Sequence, residues 1–300
     1  MAYSDARGIR RLQQLYDLVR YKIANQSVFA DVKYRSFCLI RAALEQKLGT
    51  VAGKRLLEIG CGQWQTNVLL FAALGADVIG VDPEAPPSTL FGYAGFAAKA
   101  GLQRAAKTAL NEALFRSRFN RRLGELSGLN VRAAGERVLR QGGERLPFAD
   151  GRFDAVFSDD VFEHLPQVEE VTAEIARVLK PGGAALVIIH PFTAYSGGHH
   201  PATMDHGSGP SGTRVPAWDH LRARRFPSGV FLNGLREGDY RRILGAHLEI
   251  DSWTRLGPEG EPQLTPEVLA ELDGYGREEL LVGKIVCLAR NPTRARGTPG

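Results

Sequence analysis

Glu58, Gly60, Cys61 and Gly62 stand together in RLLEIGCGQWQT, where an apolar strand-like run meets a glycine turn, and Asp82 follows 22 positions after Gly60. Glycines at alternate positions let the backbone turn tightly and approach a ligand closely. A helix beginning near Thr66 leaves free N–H groups aimed at whatever the turn holds, which favours a negative group. A pyrophosphate and an amino-acid carboxylate both fit that description. Asp82, ending the next apolar run, can accept from two ribose hydroxyls in either case. The turn points to a nucleotide-like cofactor without choosing its class.

Two residues bear on the choice. The dinucleotide pattern places a third glycine at position 65, so that helix and strand pack closely, but this chain has Gln65. Glu58, two residues before the first glycine, is unexplained at a dinucleotide site. A carboxylate there suits the ammonium of a bound methionine moiety, directly or through water.

The elements that must position these residues are legible in the hydrophobic pattern. Short apolar runs at Arg55 to Gly60, Asp77 to Asp82, Arg137 to Gln141, Asp154 to Ser158, Ala184 to His190, His247 to Trp253 and Leu281 to Arg290 alternate with helical spacing. That alternation predicts an α/β, doubly wound, mostly parallel sheet. Val168 to Leu179 is the best-marked helix, with Val168, Val171, Ile175 and Val178 on one face and Lys180 to Gly183 as its stop signal. Two more helical stretches, Ile9 to Ile23 and Phe37 to Leu48, precede the first strand.

This organisation predicts a helical lid over 1–50, a main domain over 51–290 and a disordered tail over 291–300. Two connections exceed ordinary loop length: a mostly helical insertion at 83–135, and a Gly/Pro/His-rich excursion at 191–233 after the fifth strand. Long loops at the carboxyl ends of strands are where such sheets place substrate.

Composition sets outer limits. The chain has 300 residues, 44% of them hydrophobic, and a net charge of +5. No apolar run is long enough to span a bilayer, and the first residues form no secretory signal. Cys38, Cys61 and Cys287 are odd in number and far apart. A soluble protein of the reducing cytoplasm, without disulfides, is the expectation. The charge is uneven: within Ala97 to Leu123 of the insertion, Lys99, Arg104, Lys107, Arg116, Arg118, Arg121 and Arg122 stand against Glu112 alone. Such a segment is either a solvated helix face or a patch that meets phosphate, phospholipid or nucleic acid. Arg10, Arg11 and Arg20 leave contact with a membrane surface open beside the lid role.

Four segments in order, LLEIGCG, VIGVDPE, ERLPFADGRFDAVFSDDVFEHL and EIARVLKPGG, resemble the class I S-adenosylmethionine-dependent methyltransferases. The resemblance covers roughly Arg55 to His190 and implies a Rossmann-like sheet of seven strands. It implies that Gly60, Cys61 and Gly62 line the methionine end of S-adenosyl-L-methionine, Asp82 the ribose and Gly142 to Glu144, hence Gly143, the adenine. Ser158 and Asp159 would flank the sulfonium. Trp64 replaces a glycine usual in the family, which implies a moved loop or a cover over the cofactor, and Gly142 replaces an aspartate, which moves adenine recognition to backbone groups or to Glu144. HPFTAYSGGHHPATMDH and the basic insertion resemble a bacterial subgroup associated with surface-polysaccharide and other glycan synthesis.

Methyl transfer to a hydroxyl needs oxygen, methyl carbon and sulfur in line, and a base to take the proton. The candidates after the fourth and fifth strands are Asp160, His164, His190 and His199. His164 and His190 are equally readable as structural residues. His199, His200, Asp205 and His206 are dense enough to raise a divalent metal, but their spacing matches no closed site, and the expectation is no metal. Trp218, Asp219, His220 and Arg222 could line an acceptor pocket, or Trp218 could simply pack the excursion onto the core.

The leading expectation is O-methylation of a sugar-containing or other small-molecule acceptor that carries phosphate. An RNA methyltransferase is the second, motivated by the basic insertion, though no RNA-binding module is recognisable. A non-catalytic cofactor-binding partner protein is the third.

Overall fold

The computed structural model describes residues 9–87, 90–131, 137–199, 215–222, 224–225 and 230–293. Seven strands form one sheet in the order β3-β2-β1-β4-β5-β7-β6. They are β1 (Arg55–Ile59), β2 (Asp77–Val81), β3 (Val138–Leu139), β4 (Phe153–Asp159), β5 (Leu179–Ile189), β6 (Glu249–Leu256) and β7 (Lys284–Arg290). The first five run parallel, and β7 lies antiparallel to both β5 and β6. This is the expected doubly wound, Rossmann-like α/β fold with seven strands. The order reverses between β1 and β4, so a crevice opens at their carboxyl ends.

Adjacent residues of each central strand serve opposite cores. Leu57, Ile59, Val156 and Val187 face one side with Val171, Ile175 and Val178 of α5 (Val168–Val178) and Tyr240 and Leu244 of α6 (Glu237–His247). Leu56, Val78, Phe157 and Leu186 face the other, with Val68 and Phe71 of α2 (Thr66–Ala73) and Ile40 and Leu44 of α1 (Ile9–Leu48). Strands covered on both faces read as unbroken apolar runs, which is why the sequence betrays them.

Three local expectations are corrected. The two N-terminal helical stretches are one continuous helix, α1, because no Gly or Pro interrupts 24–36. Its residues Ala30, Phe37, Ile40 and Leu44 are buried in the sheet's own core. Lys180–Gly183 does not separate helix from strand. β5 already starts at Leu179, paired with Phe153, and the next pair is Ala184 with Ala155, so the intervening residues bulge outward. The third strand is only two residues long.

The basic insertion forms α3 (Leu90–Ala100) and α4 (Leu102–Ser127). Phe119 and Leu123 of α4 are buried in the same core as α1, with the Phe119 ring against Phe29 and Trp64. His200, Asp205, His206 and the tail from 294 lie outside the described residues, as do the side chains of Arg10, Arg11, Arg20, Lys99 and Arg104.

Candidate functional site

A cavity of about 1570 Å³ opens at the carboxyl ends of β1, β2 and β4. Its wall includes Glu58, Gly60, Cys61, Gly62, Asp82 and the Gln141 to Glu144 loop, and its far side Asp159, Asp160 and His164. The cofactor residues expected from sequence therefore converge, with one exception.

Gly60 and Gly62 both have positive φ, of 77° and 64°. A Cβ on Gly60 would meet Val161 Cγ2 at 2.3 Å, so only glycine lets the turn pass under the loop after β4. The Gly62 N–H donates to Asp82 Oδ2 at 2.8 Å, and the Glu84 N–H to Asp82 Oδ1 at 2.7 Å. Burial pushes the Asp82 carboxyl up, opposed by these donated hydrogen bonds. Gln65, in the left-handed region at φ 52°, turns the chain into α2.

Glu58 is 2% exposed. Its Oε1 accepts from Asn67 Nδ2 at 2.7 Å, and Oε2 has no hydrogen-bond partner among the described residues. Burial pushes its carboxyl up to about 8, with the Asn67 hydrogen bond opposing and Asp159 adding to the rise. A buried acceptor with an open lone pair, in a cavity, is a fitting receptor for an ammonium group. Asp159 likewise keeps Oδ1 unpartnered among the described residues while Oδ2 accepts from Ser36 Oγ at 2.8 Å.

The exception is Ser158. Its hydroxyl donates to the Ile59 carbonyl at 3.0 Å, bridging β4 to β1, and it does not line the cavity. Side chains alternate across a strand, so Ser158 and Asp159 cannot both face the same way.

The catalytic candidates divide into two groups. Asp160 and His164 line the cavity; His190 and His199 stand behind it. Asp160, at φ 56°, is ion-paired with Lys284 at 2.6 Å. Burial raises its pKa, but Lys284 and Lys33 outweigh that and hold the carboxyl below its ordinary range. His190 Nε2 is 2.9 Å from Ser196 Oγ, which donates to Glu259. Desolvation lowers His190 to about 4 and His199 to about 3. Both imidazoles are therefore neutral near pH 7, and neither supplies the ionisation at ordinary imidazole values expected of a histidine base.

Several participants are not evident from sequence. Lys33 of α1 lines the cavity. Arg116, which reads as part of a basic face, donates to the carbonyls of Trp64 at 2.7 Å and Gln63 at 2.8 Å while pairing with Glu112. It holds the glycine turn from outside. The Trp64 ring lies 4.5 Å from that of Phe119, so α4 covers the turn through aromatic contact as well. Trp218 is wholly buried: its Nε1 donates to the Thr193 carbonyl, and it packs with Tyr195, Leu272 and Leu280. It offers no stacking face to a sugar. Arg222 pairs with Glu271, and His220 lies 2.7 Å from the Phe192 carbonyl. Among the described residues no helix is long and apolar enough to cross a membrane.

The sequence is similar to several known proteins. Residues 117–187 match the family profile described as a methyltransferase domain. A curated protein of Mycobacterium sp. strain JLS, described as an uncharacterized methyltransferase, is 41% identical over 66 residues, 22% of this chain and 26% of its own length. The demethylmenaquinone methyltransferase of Thermus thermophilus is 30% identical over 175 residues, 57% of this chain and 61% of its own length. The match thus spans about a quarter of the first relative's length. A solved structure, a putative sarcosine dimethylglycine methyltransferase from Galdieria sulphuraria, aligns at 15% identity and TM-score 0.48 over 87% of each chain. Residues 117–187 thus resemble a methyltransferase domain, within a seven-stranded, mostly parallel sheet.

Proposed function

We propose that this protein transfers the methyl group of S-adenosyl-L-methionine to a hydroxyl on a small acceptor that contains sugar and carries phosphate, in glycan or secondary metabolism. The observation that carries the methyl-transfer reading is the cavity itself. One end presents Glu58 Oε2, without a partner among the described residues, beside the glycine turn, and the other presents Asp159, Asp160 and His164. In this reading Glu58 receives the ammonium, the turn and Asp82 receive carboxylate and ribose, and Gly143 and Glu144 border the adenine. Asp159 faces the sulfonium.

The acceptor oxygen attacks the methyl carbon, the carbon–sulfur bond breaks and the hydroxyl proton leaves. A hydroxyl seated near Asp160 would have a base within reach, but one weakened by its pairing with Lys284. Positioning then supplies most of the rate, through an in-line arrangement held by both cavity ends. The rim of the cavity favours an acceptor with an apolar part. Leu102, Leu110 and Phe231 line it although they are 80%, 55% and 57% exposed, and Lys107 lies beside them. A lipid-linked saccharide phosphate combines those features.

Calorimetry with S-adenosylhomocysteine, followed by labelled methyl transfer to nucleotide sugars and lipid-linked saccharides, tests the reading. Binding of about micromolar strength, with none comparable for NADH, is expected. Tight NADH binding without S-adenosylhomocysteine binding would end it. Transfer to total RNA in place of saccharides would move the assignment to an RNA methyltransferase. Cofactor binding with no transfer to either would favour a partner protein.

A further inference from the structure

Behind the cavity, the loop after β4 and the excursion after β5 bring three donor atoms together. Glu163 Oε1 is 3.8 Å from His164 Nε2 and 4.0 Å from His199 Nε2. A ligand atom from each of the three residues lies within 4.8 Å of the other two. Ligands about 2.1 Å from a tetrahedral zinc ion are separated by about 3.4 Å, so these atoms need only small shifts to share one ion.

Three independent features fit that use. Glu163 is 0% exposed, yet neither carboxylate oxygen has a hydrogen-bond partner among the described residues. The backbone amides of Glu163 and His190 stabilise the carboxylate only in part, against a larger penalty from burial and from Asp160. A bare buried carboxylate is costly unless a cation or a proton neutralises it. His199 Nε2 is also buried and without a partner among the described residues.

The second feature is the tautomer of His164. Its Nδ1 lies 2.8 Å from the Phe231 carbonyl, which can only accept, so Nδ1 carries the proton. The Nε2 lone pair is thereby left facing Glu163. A ligating histidine whose other ring nitrogen donates to a carbonyl is the usual outer support of a metal site. The third is the backbone of His199, held at φ 51° in a region that a non-glycine residue enters at a cost. That conformation puts its ring 4.6 Å from the His164 ring and 4.7 Å from the His190 ring.

We propose that Glu163, His164 and His199 form a binding site for one divalent transition-metal ion of the zinc type, with an open coordination position toward the cavity that His164 lines. Two imidazoles and one carboxylate are a donor set suited to zinc and its neighbours, and three protein ligands leave room for a fourth. The sequence pattern raises metal candidates at His199, His200, Asp205 and His206. Only His199 is shared, because the sequence marks His164 as a catalytic or structural residue and does not single out Glu163. The site stands without the methyl-transfer reading. Its use there, to make an acceptor hydroxyl more acidic at the open position, rests on that reading.

The test uses tag-free full-length protein stripped with chelator and titrated with Co²⁺, then Zn²⁺, in the absence of cofactor and acceptor. One equivalent of Co²⁺ with a visible ligand-field absorption, displaced by Zn²⁺ and accompanied by a rise in Tm, is expected. His199→Ala should weaken Co²⁺ binding on the order of 100-fold. Glu163→Gln should do the same, and His247→Ala, on α6, should leave it unchanged. Glu163 lies in the core and its replacement can unfold the chain; His199, on the excursion, keeps the test decisive. No stoichiometric uptake, or uptake unaltered by His199→Ala, overturns the site. Cofactor calorimetry on the same stripped protein reports separately on the methyl-transfer reading.

Discussion

The Gly62 N–H donates to Asp82 Oδ2 at 2.8 Å, so the acid at the end of β2 secures the glycine turn at the end of β1. The other oxygen takes the Glu84 N–H. A carboxylate has about four acceptor positions, so these bonds leave capacity for ribose hydroxyls. Asp82 has two tasks at once, and removing it should disturb both.

Asp82→Ala should therefore weaken S-adenosylhomocysteine binding by about 1.5 to 3 kcal/mol, roughly 10- to 150-fold, and also lower Tm because the turn is untied. Asp82→Asn, which keeps one acceptor oxygen, should fall between. Calorimetry and thermal melts on the same samples separate the two effects. Unchanged affinity in Asp82→Ala would remove this residue from the cofactor site.

Arg116 makes a distinct prediction, since it bonds to the turn but does not line the cavity. Its fork spans two adjacent carbonyls, those of Gln63 and Trp64, a geometry that a lysine ammonium cannot reproduce. Arg116→Lys keeps the charge and should still cost the cofactor about tenfold in affinity, with the acceptor KM within about twofold of the parent. A variant that binds S-adenosylhomocysteine normally would return Arg116 to a merely structural part in α4.

Much of this arrangement is legible in the amino-acid sequence alone. The central strands are marked by residues buried on both faces, such as Leu56 and Leu57, and the turn by two glycines at positive φ. What escapes shares a different cause. Arg116 looks like any solvent-facing arginine until α4 folds back over the turn. Trp218 looks like a ligand platform until Leu272 and Leu280 close on it. Glu163 sits in a pattern, EHL, whose sequence carries no trace of its burial or of the His199 ring that the excursion brings beside it. Ser158 and Asp159 read as sharing one task, although adjacent strand residues must point apart.

Glu58 links cofactor binding to pH. Burial raises its folded-state pKa to about 8, above its ordinary value of 4.5. The folded chain then holds the proton more tightly than the unfolded chain. Stability contributed by this group is present below about pH 4.5 and is lost as pH rises through about 8, by up to about 1.4 kcal/mol per pH unit. Glu58→Gln should flatten that decline in Tm. A bound ammonium favours the carboxylate, so cofactor binding near pH 7 should release protons in the parent. Calorimetry in buffers of different ionisation enthalpy reads this release, and an identical buffer dependence in Glu58→Gln would refute it.

The basic helix separates a compact acceptor from RNA. Arg116 is committed to the turn, and Arg122 pairs with Asp31 at 2.9 Å and Glu125 at 3.4 Å. Arg118 and Arg121 are exposed, and neither lines the cavity; Lys107 does. A compact phosphate on the acceptor should thus feel Lys107 first. Lys107→Glu should raise the acceptor KM about tenfold, the scale of one charge-assisted contact, with S-adenosylhomocysteine affinity kept. Reversing both Arg118 and Arg121 should leave that KM within about twofold. An RNA chain would instead engage several cations and release several counterions, giving a log–log salt slope of about −0.7 per phosphate contact. The expected slope is shallow, about −1 or less in magnitude, with no competition from total RNA. A steep slope that the Arg118 and Arg121 reversals relax, together with efficient competition by RNA, would overturn the saccharide assignment and make α4 the nucleic-acid face.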